Sequence, residues 1–337
     1  MSRSPVTLEQ VARLAGVSKV TVSKTLNNTG RISHPTRERV LKAVADLGYV
    51  ANTAARSLRG RRSNILGLTV PELISPYFAE VARAAAEVAS LQGYDLALFT
   101  TSRDPVRERE RVHTLLGGLA DGLIVVVPST SPEFLATLER SPAPVVLINH
   151  FGAVTHLPTV RADSYMGSAA AVRHLLELGH RRVGFVSGAA NSSQAKERLR
   201  AYREVMVAAD LFDPDLIAQG DFTQPGGFRA GQQLLQHSER PSAIFAASDV
   251  TAFGVLDAAR SLGLSVPQQL SLVGFDDVPT ASQIVPPLTT VRHPIHQMAE
   301  IAIGLLLDSL SGKTTQDRLV ELPSELIVRA SSGRPGG

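Results

Sequence analysis

Three short stretches near the start of the chain repeat an apolar residue every three or four positions. Leu8, Val11, Ala12 and Ala15 fall on one helical face, Val17, Val22 and Leu26 on a second, and Val40, Leu41, Val44 and Leu47 on a third. Gly16 separates the first two stretches and can take the positive φ of a tight turn. Ser18 stands where a helix N-cap belongs, with Thr21 three residues on. Ser33 precedes His34-Pro35, a favoured opening turn, and Gly48 stops the third stretch. The pattern predicts three short helices around a small core over residues 1–50. Lys19, Val20, Ser23 and Lys24 are left pointing outward. A bare β-branched valine on a polar helix face calls for something to cover it. Residues 51–62, "ANTAARSLRGRR", have few apolar anchors, and a helix this short is marginal alone. They read as a linker that folds on a partner.

From Ile65 the period changes. "ILGLTV", "DLALFT", "GLIVVV" and "VVLIN" are short apolar runs separated by helical patterns near 77–91, 107–116 and 133–138. After Asp163 the series restarts with a helix to Leu178. Then come "RVGFVSG", "DLIAQGDF", "AIFAAS" and "LSLVGFDD", with helices through Tyr202, Leu235 and Leu262 between them. Buried runs alternating with helices predict two successive doubly wound parallel-sheet subdomains. Sheets of this kind bind ligands beyond the carboxyl ends of their strands, so the crevice between the two is a natural small-molecule site. "LTTVRHP", a helix at 296–310, "LVEL" and "ELIVR" are expected to cross back and brace both halves, and 331–337 to form a disordered tail.

Length agrees: 337 residues suggest about two domains. The absence of cysteine removes disulfides, thiolate nucleophiles and Cys-based zinc sites. "MSRSPVTLEQVARLAG" has no apolar secretory core, and no apolar run reaches the roughly 18 residues of a membrane span. A cytoplasmic protein without a membrane partner is expected. Charge is unevenly placed. Residues 1–62 hold twelve Lys and Arg against three acids, a net +9, so a total of +3 leaves −6 for the rest. A basic, helically patterned head on an acidic body points to nucleic acid.

Several motifs in this order resemble the LacI/GalR family of bacterial transcription regulators. They are "TLEQVARLAGVSKVTVSKTLN", "ISHPTRERV", "LGYVANTAARSLRG", "PYFAEV", "DSYMGSAAAVRHLLELGHRRVGFVSG", "ERLRAY", "IFAASD", "LVGFDD" and "LTTVRHP". The resemblance spans essentially the whole chain. It implies a helix-turn-helix head (1–50), a hinge helix (51–62) and an α/β effector domain (63–330) with the type I periplasmic-binding-protein fold. The N-subdomain is expected at about 63–161 and 293–322, and the C-subdomain at about 162–292 and 323–330.

By the same resemblance Lys19, Val20 and Lys24 hold base-reading positions of a recognition helix in the major groove. Lysine can donate to guanine O6 and N7, and valine can pack on a thymine methyl. Ser18, Thr21 and Ser23 suit phosphate contacts. Leu58 matches a leucine that wedges into the minor groove, with Asn52, Ala55 and Arg56 along the same groove. The effector site is expected to use Tyr77, Phe78, Asp163, Ser192, Gln194, Arg198, Phe222, Ser248 and Asp276. Two departures stand out: Ser248-Asp249 where the family often has Asn-Asp, and Ala201-Tyr202 where it has Gly-Phe. "ELGHRRVGF" reads as structural.

The resemblance implies a dimeric repressor of a carbohydrate-utilisation operon that reads a palindromic operator. A sugar or sugar derivative would tune its affinity, with no cofactor and no metal. A nucleoside or purine corepressor is the alternative. An α/β enzyme is disfavoured by the lack of a GxSxG elbow, a P-loop, an HExxH motif and a Gly-rich fingerprint after "ILGLTV". A solute-binding transport component is disfavoured by the basic head.

Overall fold

The computed structural model describes residues 6–26, 29–49, 62–128 and 131–336. The hinge positions Asn52, Ala55, Arg56 and Leu58 lie outside the described residues. The chain divides into two compact units, Met1–Ser63 and Asn64–Gly337.

In the first unit α1 (Leu8–Ala15) opens with a capping box between Thr7 and Gln10 and closes at Gly16 with φ 64°. Helix α2 (Lys19–Leu26) is capped by Ser18 Oγ, which accepts from Thr21 N at 3.1 Å. Helix α3 (His34–Leu47) closes at Gly48 with φ 62°. Val11, Ala12, Ala15, Val22, Val40 and Ala43 form the core, with Leu8, Val17, Leu26, Val44 and Leu47 packed at its edge. Leu41, expected in the stripe, is exposed, and Ala43 takes its place. Positions 40, 43, 44 and 47 share a face, whereas 41 is turned about 100° from 40.

The second unit holds two six-stranded sheets. The first contains β1 (Ile65–Val70), β2 (Asp95–Thr100), β3 (Gly122–Val126), β4 (Val145–Ile148), β5 (Thr159–Ala162) and, late in the chain, β11 (Leu319–Leu322). Its order is β11-β5-β4-β3-β1-β2, parallel throughout. The second contains β6 (Val183–Val186), β7 (Ile217–Ala218), β8 (Ala243–Ala246), β9 (Ser271–Asp276), β10 (Thr289–Arg292) and β12 (Glu325–Ile327). Its order is β12-β10-β9-β8-β6-β7, with only the β10–β12 pair antiparallel. The helices are α4 (Pro76–Leu91), α5 (Pro105–Thr114), α6 (Pro132–Glu139), α7 (Ser164–Glu177), α8 (Ser193–Ala208), α9 (Gln224–Leu235), α10 (Asp249–Ser261) and α11 (Ile295–Leu310). In each sheet the order reverses between its first and third strands, which places a topological switch point there.

The chain passes between the two lobes three times: from β5 into α7, from β10 into α11, and from β11 into β12. Strand β5 is not announced by an apolar run, because it carries Arg161 beside Glu321 of β11. Strand β7 is shorter than "DLIAQGDF" suggests, since Pro214–Leu216 forms a 3-10 turn and the strand sits at the sheet edge.

Residues 331–336 correct the disorder expected of that stretch. Ser331 is buried, donates to Leu272 O at 2.6 Å and accepts from Thr289 N at 2.7 Å. Gly333 O accepts from Ser271 Oγ at 3.0 Å, and the buried His180 ring lies 2.9 Å from the same carbonyl. The segment is held by hydrogen bonds of the Ser331 hydroxyl and the Gly333 backbone to the start of β9. His180 also contacts Ser242 Oγ at 2.8 Å, which makes the "LGHRR" segment a packing device.

Helices α9 and α10 meet backbone to backbone. A Cβ on Gly254 would stand 2.1 Å from Gln224 O and 2.5 Å from Phe228 N, and one on Gly227 would stand 2.2 Å from Thr251 O. Alanine is the better helix former by about 1 kcal/mol, but forcing packed backbones apart costs roughly 1–3 kcal/mol or more. Gly254→Ala is therefore expected to lower stability by about 1–2 kcal/mol in urea unfolding. An unchanged or raised midpoint would show that the two helices separate freely.

Candidate functional site

On the head, α2 turns Lys19, Val20 and Lys24 to solvent. Val20 is 62% exposed, so packing on α3 does not account for it. Lys19 Nζ lies 2.8 Å from Glu9 Oε2, and this exposed pair holds the Glu9 carboxyl below its ordinary range through hydrogen bonding and charge. Ser18 Oγ and Thr21 Oγ1 are 2.9 Å apart beside the helix N-terminus, and Ser23 lies half-buried one turn on. The face offers cations, hydroxyls and one apolar side chain together.

On the body, a cavity opens between the lobes, with about 420 Å³ of empty space, part of it open to solvent. Every lining residue follows a strand's carboxyl end or closes that strand. The first lobe contributes Ser75, Tyr77 and Phe78 after β1, Arg103 after β2 and Val127 after β3. The second contributes Ser192, Gln194 and Arg198 after β6, Phe222 after β7, Ser248 after β8 and Asp276 at the end of β9. Eight of the nine expected effector residues thus come together.

Asp163 is the exception. It sits at the first crossover, where its Oδ1 accepts from Met166 N at 2.8 Å and caps α7. It lines a second interlobe depression with Phe151, Arg161, Tyr165, Arg200 and Glu321. A helix-capping carboxylate is held by its own backbone turn, and Asp163 is not among the residues lining the first cavity. Ser75, Arg103 and Val127 were not foreseen. Ser75 before Pro76 carries an N-cap signal, whereas Arg103 and Val127 stand in loops with φ 56° and 49° that no periodicity marks.

Arg198 is 2% exposed and anchors the second lobe. Its Nη1 donates to Ala247 O, its Nη2 reaches Asp276 Oδ1 at 3.5 Å, and its guanidinium lies 3.7 Å from the Phe275 ring centre. Burial pushes the Asp276 carboxyl up to about 7, against the pull of Arg198. Asp249, behind it, is raised by burial and by Asp276, and accepts from Val278 N at 2.9 Å. Phe222, at φ 66°, lays its ring across Gly188, where a Cβ would stand 2.0 Å from the ring. Ser248 Oγ accepts from Thr251 N at 3.1 Å, so the shorter side chain serves as the α10 cap.

The first lobe's wall is fixed from behind. Asn149 Nδ2 donates to Tyr77 Oη at 2.5 Å, and Asn149 Oδ1 accepts from Ala162 N, the last residue of β5. Burial holds the Tyr77 hydroxyl in its protonated form. His293, just past β10, packs edge-on against Tyr77 and Phe275 at 5.5 and 5.0 Å, and burial and Arg198 keep it neutral. Tyr202, in the Gly-Phe position of the expected motif, stacks on Phe185 at 5.1 Å and donates to Val183 O at 2.7 Å. That departure is absorbed in packing. Among the described residues no helix is long and apolar enough to cross a membrane.

The profile described as "Bacterial regulatory proteins, lacI family" matches residues 7–52, and that of a "Periplasmic binding protein-like domain" matches 172–332. The HTH-type transcriptional regulator DegA of Bacillus subtilis (strain 168) is 34% identical over 330 residues, covering 97% of this chain and 98% of DegA. A transcriptional regulator CelR–cellobiose complex is 32% identical with TM-score 0.74, covering 97% of this chain and 99% of that one. The lac repressor dimer bound to operator and the anti-inducer ONPF is 27% identical with TM-score 0.86, covering 98% of this chain and all of that one. Head and body therefore have full-length counterparts that are regulators and not enzymes, and the chain belongs to the lacI family, as a DNA-binding transcriptional regulator responsive to a small-molecule effector.

Proposed function

We propose that the protein is a cytoplasmic repressor of a carbohydrate-utilisation operon, bound as a homodimer to a palindromic operator and tuned by a sugar or sugar derivative in the interlobe cavity. The observation that carries the reading is the cavity wall itself. Arg198 and Asp276 present donors and an acceptor side by side, in a lining that also carries phenyl rings from both lobes, Phe78 and Phe222. Such a wall suits a hydroxylated ring with adjacent polar groups. The cellobiose complex of CelR and the operator-bound dimer of the lac repressor support it. The same phenyl pair favours a second reading, a nucleoside corepressor whose flat base stacks between them.

In the mechanism, effector in the cavity changes the relative pose of the lobes about the three crossovers. That shift alters the spacing of paired heads, so Lys19, Val20 and Lys24 no longer meet both half-sites. A coupling of about 1–3 kcal/mol changes operator affinity roughly 5–150-fold. Footprinting of the purified protein on sheared genomic DNA from its source, at fixed salt, is expected to show a protected palindrome near catabolic genes. Titration of that operator with and without sugars suggested by those genes, and with nucleosides, then tests the gating. Protection without a palindrome, or superimposable titrations for every candidate, would overturn the reading.

A further inference from the structure

Three helices end their N-termini on one cavity. The N-cap serines of α4, α8 and α10 are Ser75, Ser192 and Ser248, and all three line it. These helices are 16, 16 and 13 residues long, so each brings the positive end of a developed dipole. Two side-chain donors in the same wall have no partner among the described residues: Nε2 of Gln194 and Nε of Arg198. Both residues are buried, at 7% and 2% exposure. Arg103 adds a second guanidinium, whose Nη2 donates to Glu72 Oε1 at 3.0 Å, outside the lining.

Acceptors are scarce by comparison. Asp276 is the one acid among the lining residues, and its Oδ1 already faces Arg198. Ser192 and Ser248 use their hydroxyl oxygens to cap their own helices. A sugar hydroxyl brings a donor with every acceptor, whereas an oxyanion brings acceptors only. Buried donors left unpaired are costly, and a carboxylate or phosphate is the group that satisfies several at once.

Resting on the reading of this cavity as the effector site, we infer that the effector carries an oxyanion, a carboxylate or a phosphate, seated between Gln194, Arg198 and the three helix N-termini. An acidic or phosphorylated sugar is the corresponding class, in preference to a neutral one. The raised carboxyl of Asp276 agrees, since a group held up to about 7 repels a bound anion less than an ordinary carboxylate does. Bound to such a group, Gln194 acts as a donor whose loss weakens the anion and spares a neutral ring.

Thermal unfolding of the full chain tests this with inorganic phosphate, acetate, cellobiose and adenosine as probes, the salts against chloride at equal ionic strength. Phosphate also strengthens apolar burial in any protein, so the reading is the difference between wild type and Gln194→Leu. Wild type is expected to gain about 2–4 °C, saturating in phosphate or acetate, and Gln194→Leu to lose that gain. Whichever anion acts tells phosphate from carboxylate. Gln194→Glu, which keeps size and adds repulsion, provides the same comparison if the leucine variant folds poorly. Parallel shifts in wild type and variant for both anions overturn the oxyanion. If cellobiose or adenosine then still gives a variant-sensitive shift, the cavity stands as the effector site and only the anionic class falls.

Discussion

Val20→Asp is expected to abolish operator-specific binding while leaving the head folded. Val20 is 62% exposed on α2 and lies outside the Val11–Val22–Val40 core, so its replacement should move stability by no more than about 0.5 kcal/mol. A base-edge contact is worth roughly 1–3 kcal/mol, and a carboxylate set among phosphates adds repulsion. A loss of about 100-fold or more in affinity at fixed salt follows. Anisotropy titrations on the footprinted operator and on a scrambled duplex measure it, with thermal melts of the free protein alongside. A larger loss on the operator than on the scrambled duplex assigns Val20 to base reading, whereas equal binding of the variant and wild type to the operator would remove Val20 from the interface. Lys19 has a further step to make, because its ammonium rests 2.8 Å from Glu9 and must leave that carboxylate to reach a base. Glu9→Gln should therefore strengthen binding modestly on both duplexes.

Local signals made the head legible. Gly16 and Gly48 stop helices at positive φ, Ser18 caps α2, and the apolar faces fix which sides meet. Leu41 shows the limit of that reading, since three- and four-residue spacings admit neighbouring stripes and only packing selects one. In the body, apolar runs revealed the central strands, whose both faces are buried. They did not reveal β5, where Arg161 finds its counter-charge on a strand more than 150 residues later. The tail was misread for a similar reason. Ser331 and Gly333 look like linker residues, and their partners Leu272, Thr289 and Ser271 are close only in three dimensions.

The cavity divides in the same way. Its second-lobe residues stand in recognisable motifs, and the fold brings Ser192, Gln194, Arg198, Phe222, Ser248 and Asp276 to one wall. Arg103 escaped because its place depends on which loop follows β2 at the carboxyl edge, a fact of sheet order and not of local pattern. Asp163 was drawn in by its position at the head of a motif, although its carboxylate is engaged in capping α7. Asn149 and His293, one hydrogen-bonded to the end of β5 and the other just past β10, both hold Tyr77. The effector wall is thus tied to two of the three crossovers, where any change in lobe pose must be accommodated.

Arg198→Ala should remove the effector response and destabilise the body in a pH-dependent way. The substitution takes away the stacked guanidinium over Phe275 and the partner of Asp276 in one step. Breaking a buried ion pair costs about 3–5 kcal/mol, which corresponds to a melting point lower by roughly 10 °C. The cost depends on the charge left behind. The folded state holds the Asp276 pKa above its unfolded value, so it favours the protonated form. Stability from that proton is fully present below the ordinary carboxylate range and lost as pH rises through about 7. Arg198 is the main group pulling this pKa down, so its removal raises it further. Near pH 5 the carboxyl is largely neutral in both proteins, and the gap reflects lost packing. Near pH 8 wild type holds a mostly ionised carboxylate paired with Arg198 whereas the variant keeps its proton, and over the one pH unit above about 7 the gap widens by up to about 1.4 kcal/mol. Melts across pH 5–8 should therefore diverge toward the alkaline side. Repeated in an Asp276→Asn background, the Arg198→Ala substitution should give a constant offset between the single and double variants, because neither then holds a buried acid at that position to titrate. A gap independent of pH in the single variant would mean that Asp276 does not depend on Arg198 for its charge.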